Sequence, residues 1–114
     1  MHRVGWTFMA LVFLAAAAPL PATAQTAEEG QKLFVAQKCG ICHSIAGTGN
    51  KRGPLDDVGT KLTAAEIRAW ILTPTEMAAK AKATRKPPMK AFTSLSAANV
   101  DALVAYLLTL KAAP

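Results

Sequence analysis

Two cysteines and one histidine stand within five consecutive residues, Cys39-Gly40-Ile41-Cys42-His43. They are the only cysteines of the 114-residue chain, and they are too close together to brace a distant loop. At the end of a helix, the three-residue offset turns both thiols toward the same side, where they can add to the two vinyl groups of a haem. His43 then lies beneath the iron as an axial ligand. The C-x-x-C-H pattern therefore predicts one haem c, attached through two thioether bonds.

Two other chemistries use cysteines at this spacing. A redox-active dithiol normally lies at the start of a helix in a βαβ unit, and the sequence has no such pattern. A zinc site needs about four ligands, whereas this region offers two cysteines and one histidine. Both alternatives fit the sequence less well than haem attachment.

The second axial ligand must be of another type, because His43 is the only histidine after residue 24. Methionine is the natural candidate, since a thioether completes the iron coordination of many c-type haems. Met89 follows Pro87-Pro88 in an irregular stretch before the last predicted helix. Met77 lies in a segment typical of a short helix, where methionine is more often core packing. Met89 is therefore the predicted ligand, and Met77 is the alternative.

Helix start signals occur at two capping boxes, in which a threonine and a glutamate satisfy each other's backbone donors. Thr26-x-x-Glu29 opens a helix predicted to run to about Lys38. Thr63-x-x-Glu66 opens a helix predicted over residues 64–73, which Pro74 ends. These helices flank the C-x-x-C-H motif on both sides.

A third helix is predicted after Ser96, a suitable N-cap. Its apolar residues recur at i, i+3, i+4, i+7 and i+8, namely Val100, Leu103, Val104, Leu107 and Leu108. A glycine-rich loop from Gly47 to Gly59 and a basic stretch from Lys80 to Lys90 connect the helices, and both are long enough to wrap a bound group. No segment shows sustained strand alternation, so the fold class predicted is all-α.

Residues 1–24 have the layout of a secretory signal, with a positive start, an apolar run from Val4 to Ala18 and the small-residue sequence Ala22-Thr23-Ala24. Cleavage after Ala24 leaves a single domain over residues 25–114. An uncleaved anchor is the alternative, but the apolar run is shorter than the roughly 20 residues that span a bilayer. No membrane span is therefore expected in the mature chain, and a periplasmic location is predicted.

The chain has a formal net charge of +6, and removal of Arg3 with the signal leaves +5. Many of the basic residues stand where the edge of a bound haem should emerge: Lys38, Lys51, Arg52, Lys80, Lys82, Arg85, Lys86 and Lys90. We expect them to steer an acidic redox partner into brief contact. A nucleic-acid partner is not expected, because the charge lies in loops without interleaved aromatic residues.

The mature chain resembles a class I monohaem cytochrome c over residues 26–111. Besides the C-x-x-C-H motif, Gly30 and Phe34 in the first helix and Leu103 and Tyr106 in the last resemble the helix-crossing contact of that family. In such a contact, glycine permits close approach of two helices and an aromatic side chain fills the gap. The resemblance implies three main helices around a covalently bound haem.

The resemblance also implies roles for single residues. Gly53-Pro54-Leu55 resembles the loop whose proline carbonyl accepts a hydrogen bond from the proximal histidine, so Pro54 would orient His43. Trp70 resembles a residue that lines the haem crevice, from which its indole could reach a haem propionate. Met89 occupies the place of the family's thioether ligand, although Lys90 follows it where the family often has proline.

Histidine and methionine together leave no open position on the iron, so an electron carrier and not an enzyme is expected. The predicted function is periplasmic electron transfer between a redox donor and a redox acceptor. The first alternative is a dedicated haem subunit that stays bound to one oxidoreductase. The second is a gas-binding or sensing cytochrome in which Met89 does not bind the iron.

Overall fold

The computed structural model describes residues 14–18 and 22–112. Within these residues the chain forms five α-helices: α1 (Ala22–Ala36), α2 (Val58–Lys61), α3 (Ala64–Leu72), α4 (Pro74–Ala81) and α5 (Ala97–Leu108). A 3-10 helix spans Cys39–Ile41, and a small antiparallel hairpin pairs β1 (Ser44–Ile45) with β2 (Thr48–Gly49). The prediction of an all-α fold is confirmed, because the only sheet among the described residues is this hairpin of two short strands.

Helices α1 and α5 cross at Gly30, which is buried. A Cβ atom at position 30 would lie 2.6 Å from the carbonyl carbon of Ala102 and 2.7 Å from Cβ of Tyr106. The rings of Phe34 and Tyr106 meet edge to face next to this point, with centroids 5.9 Å apart and planes at 70°. The predicted helix-crossing contact is therefore present, and glycine is required there by the close approach of the two backbones.

The hydrophobic core lies between α3 and α5. It consists of buried aliphatic side chains: Ile67, Ile71, Val100, Leu103, Val104 and Leu107. The α5 members are four of the five residues that the helical periodicity singled out, and they face inward because they share one stripe of the helix. This core holds α3 against α5.

Two of the three predicted helix starts agree with the structure. The Thr63 hydroxyl accepts a hydrogen bond from the Glu66 amide at 3.2 Å, while the Glu66 carboxylate accepts one from the Thr63 amide at 2.7 Å. Ser96 caps α5 by accepting from the Asn99 amide at 3.1 Å. Pro74 ends α3 as predicted and also occupies the first turn of α4, where its missing N–H has no cost.

The predicted start of the first helix is wrong. Helix α1 begins at Ala22, four residues before Thr26, because the alanine-rich sequence that precedes the capping box is itself strongly helix-forming. The helix ends at Ala36, two residues before the predicted end, because Lys38 adopts a left-handed conformation with φ of 58°. That turn leads the chain directly into Cys39.

The stretch from Gly47 to Gly59 is more ordered than predicted. It contains β2, and α2 begins at Val58 near its end. Ala46 and Gly47 form the hairpin turn with positive φ angles of 50° and 79°, and the Asp56 carboxylate accepts a hydrogen bond from the Ala46 amide at 2.6 Å. Both elements are too short to give a periodic signal in the sequence.

The predicted signal segment falls largely outside the described residues, since residues 1–13 and 19–21 are not part of the described structure. Residues 22–24 belong to α1. Among the helices in the described part of the chain, none is both long and apolar enough to cross a membrane. Cleavage after Ala24 stays a prediction.

Candidate functional site

The C-x-x-C-H segment forms a closed turn immediately after α1. The Cys39 carbonyl accepts hydrogen bonds from the amides of Cys42 at 3.1 Å and of His43 at 2.9 Å. This turn brings the two half-buried cysteines close together, and both are free thiols. The arrangement presents two thiols and one imidazole from a single short segment.

The pKa of the Cys39 thiol is raised, mainly because burial disfavours the thiolate. A backbone hydrogen bond at Cys39 opposes this effect, the nearby Cys42 raises the pKa further, and the positive charge of Lys90 lowers it. The two thiols are therefore close enough to interact electrostatically. Lys90, from the segment that carries Met89, lies near enough to act on the same thiol.

The His43 ring is held from the Nδ1 side. Its Nδ1–H donates a hydrogen bond of 3.1 Å to the Gly53 carbonyl. Burial lowers the pKa of His43, the bond to Gly53 raises it, and the Arg85 charge lowers it. The net lowering favours the neutral imidazole, whose Nε2 lone pair is the form that binds a metal.

The residue that accepts this hydrogen bond corrects the sequence prediction. The acceptor is the carbonyl of Gly53 and not that of Pro54, which is itself exposed. Ser44 pairs with this segment in parallel fashion, because its amide donates to the Gly53 carbonyl at 3.0 Å and its carbonyl accepts from Leu55 at 2.9 Å. Successive carbonyls of an extended segment point in opposite directions, so the Gly53 carbonyl faces His43 and the next one does not.

Asn50 is a site residue that the sequence reasoning missed. Its amide N–H is shared between the carbonyls of Gly40 and His43, at 3.0 Å each. Its side-chain Nδ2 donates to the Ile41 carbonyl at 3.0 Å, and its Oδ1 accepts from the Arg52 amide at 3.0 Å. Asn50 thus binds the whole C-x-x-C-H turn to the loop that follows it. An asparagine that follows a glycine indicates a turn, but nothing in the sequence identifies its partners.

Met89 lies in a segment from Ala83 to Phe92, called here the Met89 loop, whose two ends are fixed by backbone hydrogen bonds. The Ala83 amide donates to Ala78 at 2.9 Å, and the Phe92 amide donates to Ile71 of α3 at 3.0 Å. Met89 is half-buried, whereas Pro87, Pro88 and Lys90 around it are exposed. The loop turns this methionine inward although its neighbours face solvent.

The Met89 loop lies beside the C-x-x-C-H turn. The Arg85 guanidinium lies against Gly53, so that a Cβ atom at position 53 would overlap it, and its charge acts on His43. The charge of Lys90, five residues further along, acts on Cys39. The structure therefore brings together the segments that carry Cys39, Cys42, His43 and Met89.

Met77 and Trp70 lie on helices. Met77 is in α4, as predicted, and its amide donates to the Thr73 carbonyl at 3.2 Å. Trp70 is half-buried in α3, one residue before Ile71, which anchors the end of the Met89 loop. The predicted contact of Trp70 with a haem propionate stays a prediction.

The donor set fits a haem c. Two thiols on one turn, a neutral imidazole and a thioether sulfur in the adjacent loop are the groups that this cofactor requires. Several large apolar side chains pack on the core while staying partly exposed, namely Leu33, Phe34, Leu55, Leu62, Leu72, Phe92 and Leu95. Side chains of this kind can cover a broad, flat apolar group.

The fold and the site together define a small helical haem-binding protein. The family model for cytochrome c matches residues 27–111, and this chain belongs to the cytochrome c family. Neither the curated proteins nor the solved structures gave a match. The family binds haem c and uses it for electron transfer, so haem-based electron transfer is the activity of this domain.

Proposed function

We propose that this protein is a periplasmic electron carrier with one haem c, whose iron is bound by His43 and Met89. Cys39 and Cys42 hold the haem through thioether bonds, and the Gly53 carbonyl orients the His43 ring. One observation carries the proposal, namely that the Met89 loop lies beside the C-x-x-C-H turn and the loop that follows it. Arg85 lies against Gly53, and the charge of Lys90 reaches Cys39.

The burial pattern supports Met89 as the second ligand. Met89 is half-buried within an exposed irregular loop, where no packing requirement of a helix explains an inward-facing side chain. Met77 is half-buried as well, but it lies on α4, next to α3 in the fold, where helix packing is the ordinary role of a methionine of this exposure. A methionine ligand favours ferrous iron relative to a second histidine and so raises the reduction potential.

An electron carrier of this kind needs no catalytic side chain. A haem iron bound by both His43 and Met89 would have no open position for oxygen or peroxide. Outer-sphere electron transfer breaks no bond, so no side chain has to act as acid, base or nucleophile. The residues bind and orient the cofactor and exclude water from it.

Two matched variants test the ligand assignment. Met89→Ala should keep the haem attached but open the iron, so that the ferrous protein binds carbon monoxide and the reduction potential falls. Met77→Ala should keep a closed iron, because that side chain only packs on a helix. Absorption spectra with and without carbon monoxide, together with voltammetry, measure both effects. Carbon monoxide binding in Met77→Ala but not in Met89→Ala would contradict the assignment.

The proposed partner is a redox protein with an acidic docking surface. Seven of the eight basic residues singled out in the sequence are exposed, Arg85 being half-buried. Val35 and Ile41 are also exposed, at 73% and 68%, on either side of Lys38 in the turn that enters the haem motif. Electron transfer to an acidic partner should therefore slow as ionic strength rises. A rate that does not change with salt would contradict the acidic surface.

A further inference from the structure

Arg85 differs from the other basic residues of the Met89 loop. Its side chain is half-buried, whereas Ala83, Thr84, Lys86 and Lys90 are exposed. None of the ion pairs formed among residues 14–18 and 22–112 includes it. A guanidinium that is partly withdrawn from water needs hydrogen-bond acceptors in its place.

The acceptors nearest to this guanidinium belong to the C-x-x-C-H segment and its loop. A Cβ atom at Gly53 would overlap both the Arg85 guanidinium and the Cys42 carbonyl oxygen, and it would lie 3.1 Å from Cζ of Arg85. The guanidinium and the Cys42 carbonyl are therefore neighbours on the same side of Gly53. Glycine leaves the space in which they meet.

The Cys42 carbonyl has capacity for this contact. The Gly53 carbonyl already accepts two hydrogen bonds, from Ser44 and from His43. Within the described part of the chain, no donor forms a hydrogen bond with the Cys42 carbonyl, and Arg85 is the charged donor group placed beside it. A carbonyl with free lone pairs attracts a cationic fork of N–H donors that lies beside it.

We propose that Arg85 is a positioning residue that fastens the Met89 loop to the Cys42 carbonyl. The segment that carries Met89 is thereby tied to the backbone next to His43. This inference rests on the proposed ligation by His43 and Met89. When Arg85 is detached, the Met89 loop opens and Met89 leaves the iron more often.

The test is the rate at which imidazole replaces methionine on the ferric haem-loaded protein, followed by stopped-flow absorption. Imidazole enters only when the loop is open, so the rate reports the open fraction. Arg85→Gln removes the charged donor and should raise the rate about tenfold, the effect of losing one attractive contact between a charged donor and a carbonyl. Lys86→Gln is the matched control, because it removes the same charge from an exposed neighbour, and its rate should stay within about twofold of the original.

Equal rates in Arg85→Gln and Lys86→Gln would overturn the proposal. If Arg85→Gln does not assemble, Arg85→Lys replaces it, since lysine keeps the charge but its nitrogen falls one bond short of the carbonyl. Imidazole should then replace methionine about three times faster in Arg85→Lys than in the original protein, and an unchanged rate overturns the proposal. Failure of the proposed function looks different, because the unsubstituted ferric protein would then lack the sulfur-to-iron absorption band altogether.

Discussion

Asn50 joins three carbonyls of the haem motif to the loop behind it through one side chain and one amide. Asn50→Asp keeps the oxygen that accepts from Arg52 but replaces the Nδ2–H donor with a second oxygen facing the Ile41 carbonyl. We expect the free energy of unfolding of the haem-loaded protein to fall by about 1 kcal/mol, the net worth of one hydrogen bond. Denaturant titration measures this loss.

The neighbouring substitution Lys51→Ala serves as the control for Asn50→Asp. Lys51 is exposed and has no hydrogen bond or ion pair within residues 22–112, so its loss should leave stability nearly unchanged. If Asn50→Asp were as stable as Lys51→Ala, the side-chain bond to Ile41 would contribute nothing to the site.

Some single residues of the site could be proposed from the sequence because the residue type is itself the chemistry. Cys39, Cys42 and His43 form the C-x-x-C-H pattern, which fits haem attachment better than a redox dithiol or a zinc site, and their binding of haem stays a prediction. Pro54 was wrong as the partner of His43, because the direction of a carbonyl depends on backbone angles that the sequence does not display. Arg85 was predicted only as one of eight basic residues near the haem edge. Its charge is visible in the sequence, but its position against Gly53 is not.

At the scale of elements, the crossing of α1 and α5 determines where the haem motif begins. Gly30→Ala would place a methyl group against the backbone carbonyl of Ala102, which cannot move as a flexible side chain can. The helices must separate, at a cost of about 1–3 kcal/mol in the free energy of unfolding. Alanine gains at most about 1 kcal/mol in helix propensity, so we expect a net loss of stability. Thermal unfolding of the haem-loaded protein, followed by circular dichroism, measures the loss.

Gly40→Ala provides the matched control for the glycine at the helix crossing. A Cβ atom at Gly40 meets no heavy atom within 4 Å in the described structure, and its φ is not positive. This variant should unfold at nearly the original temperature. Equal stability of the two alanine variants would mean that the close approach of α1 and α5 is not needed.

Elements with strong end signals were predicted and short ones were not. The Thr63 and Ser96 caps marked α3 and α5 because both the cap and the apolar stripe agree there. Thr26 did not mark a helix start, since favourable alanines precede it. Helix α2 has four residues and no side-chain cap, and tertiary contacts help to hold it, including the bond from Gly59 to the Leu110 carbonyl at 2.7 Å.

At the scale of the whole molecule, the Met89 loop and the loop after the haem motif come together on the C-x-x-C-H turn. The sequence predicted that two long irregular segments would wrap a bound group, but not how they meet. Their meeting depends on contacts between residues far apart in the chain, such as Arg85 with Gly53 and Phe92 with Ile71. The charge of the molecule, in contrast, follows from composition alone.

The absorption spectrum of the oxidised and reduced protein, produced in a host that attaches c-type haem, tests the central claim most directly. Ligation by His43 and Met89 predicts a weak long-wavelength sulfur-to-iron band in the oxidised form and sharp low-spin bands after reduction. A high-spin spectrum that shifts on addition of carbon monoxide would contradict it, because the iron would then have an open position.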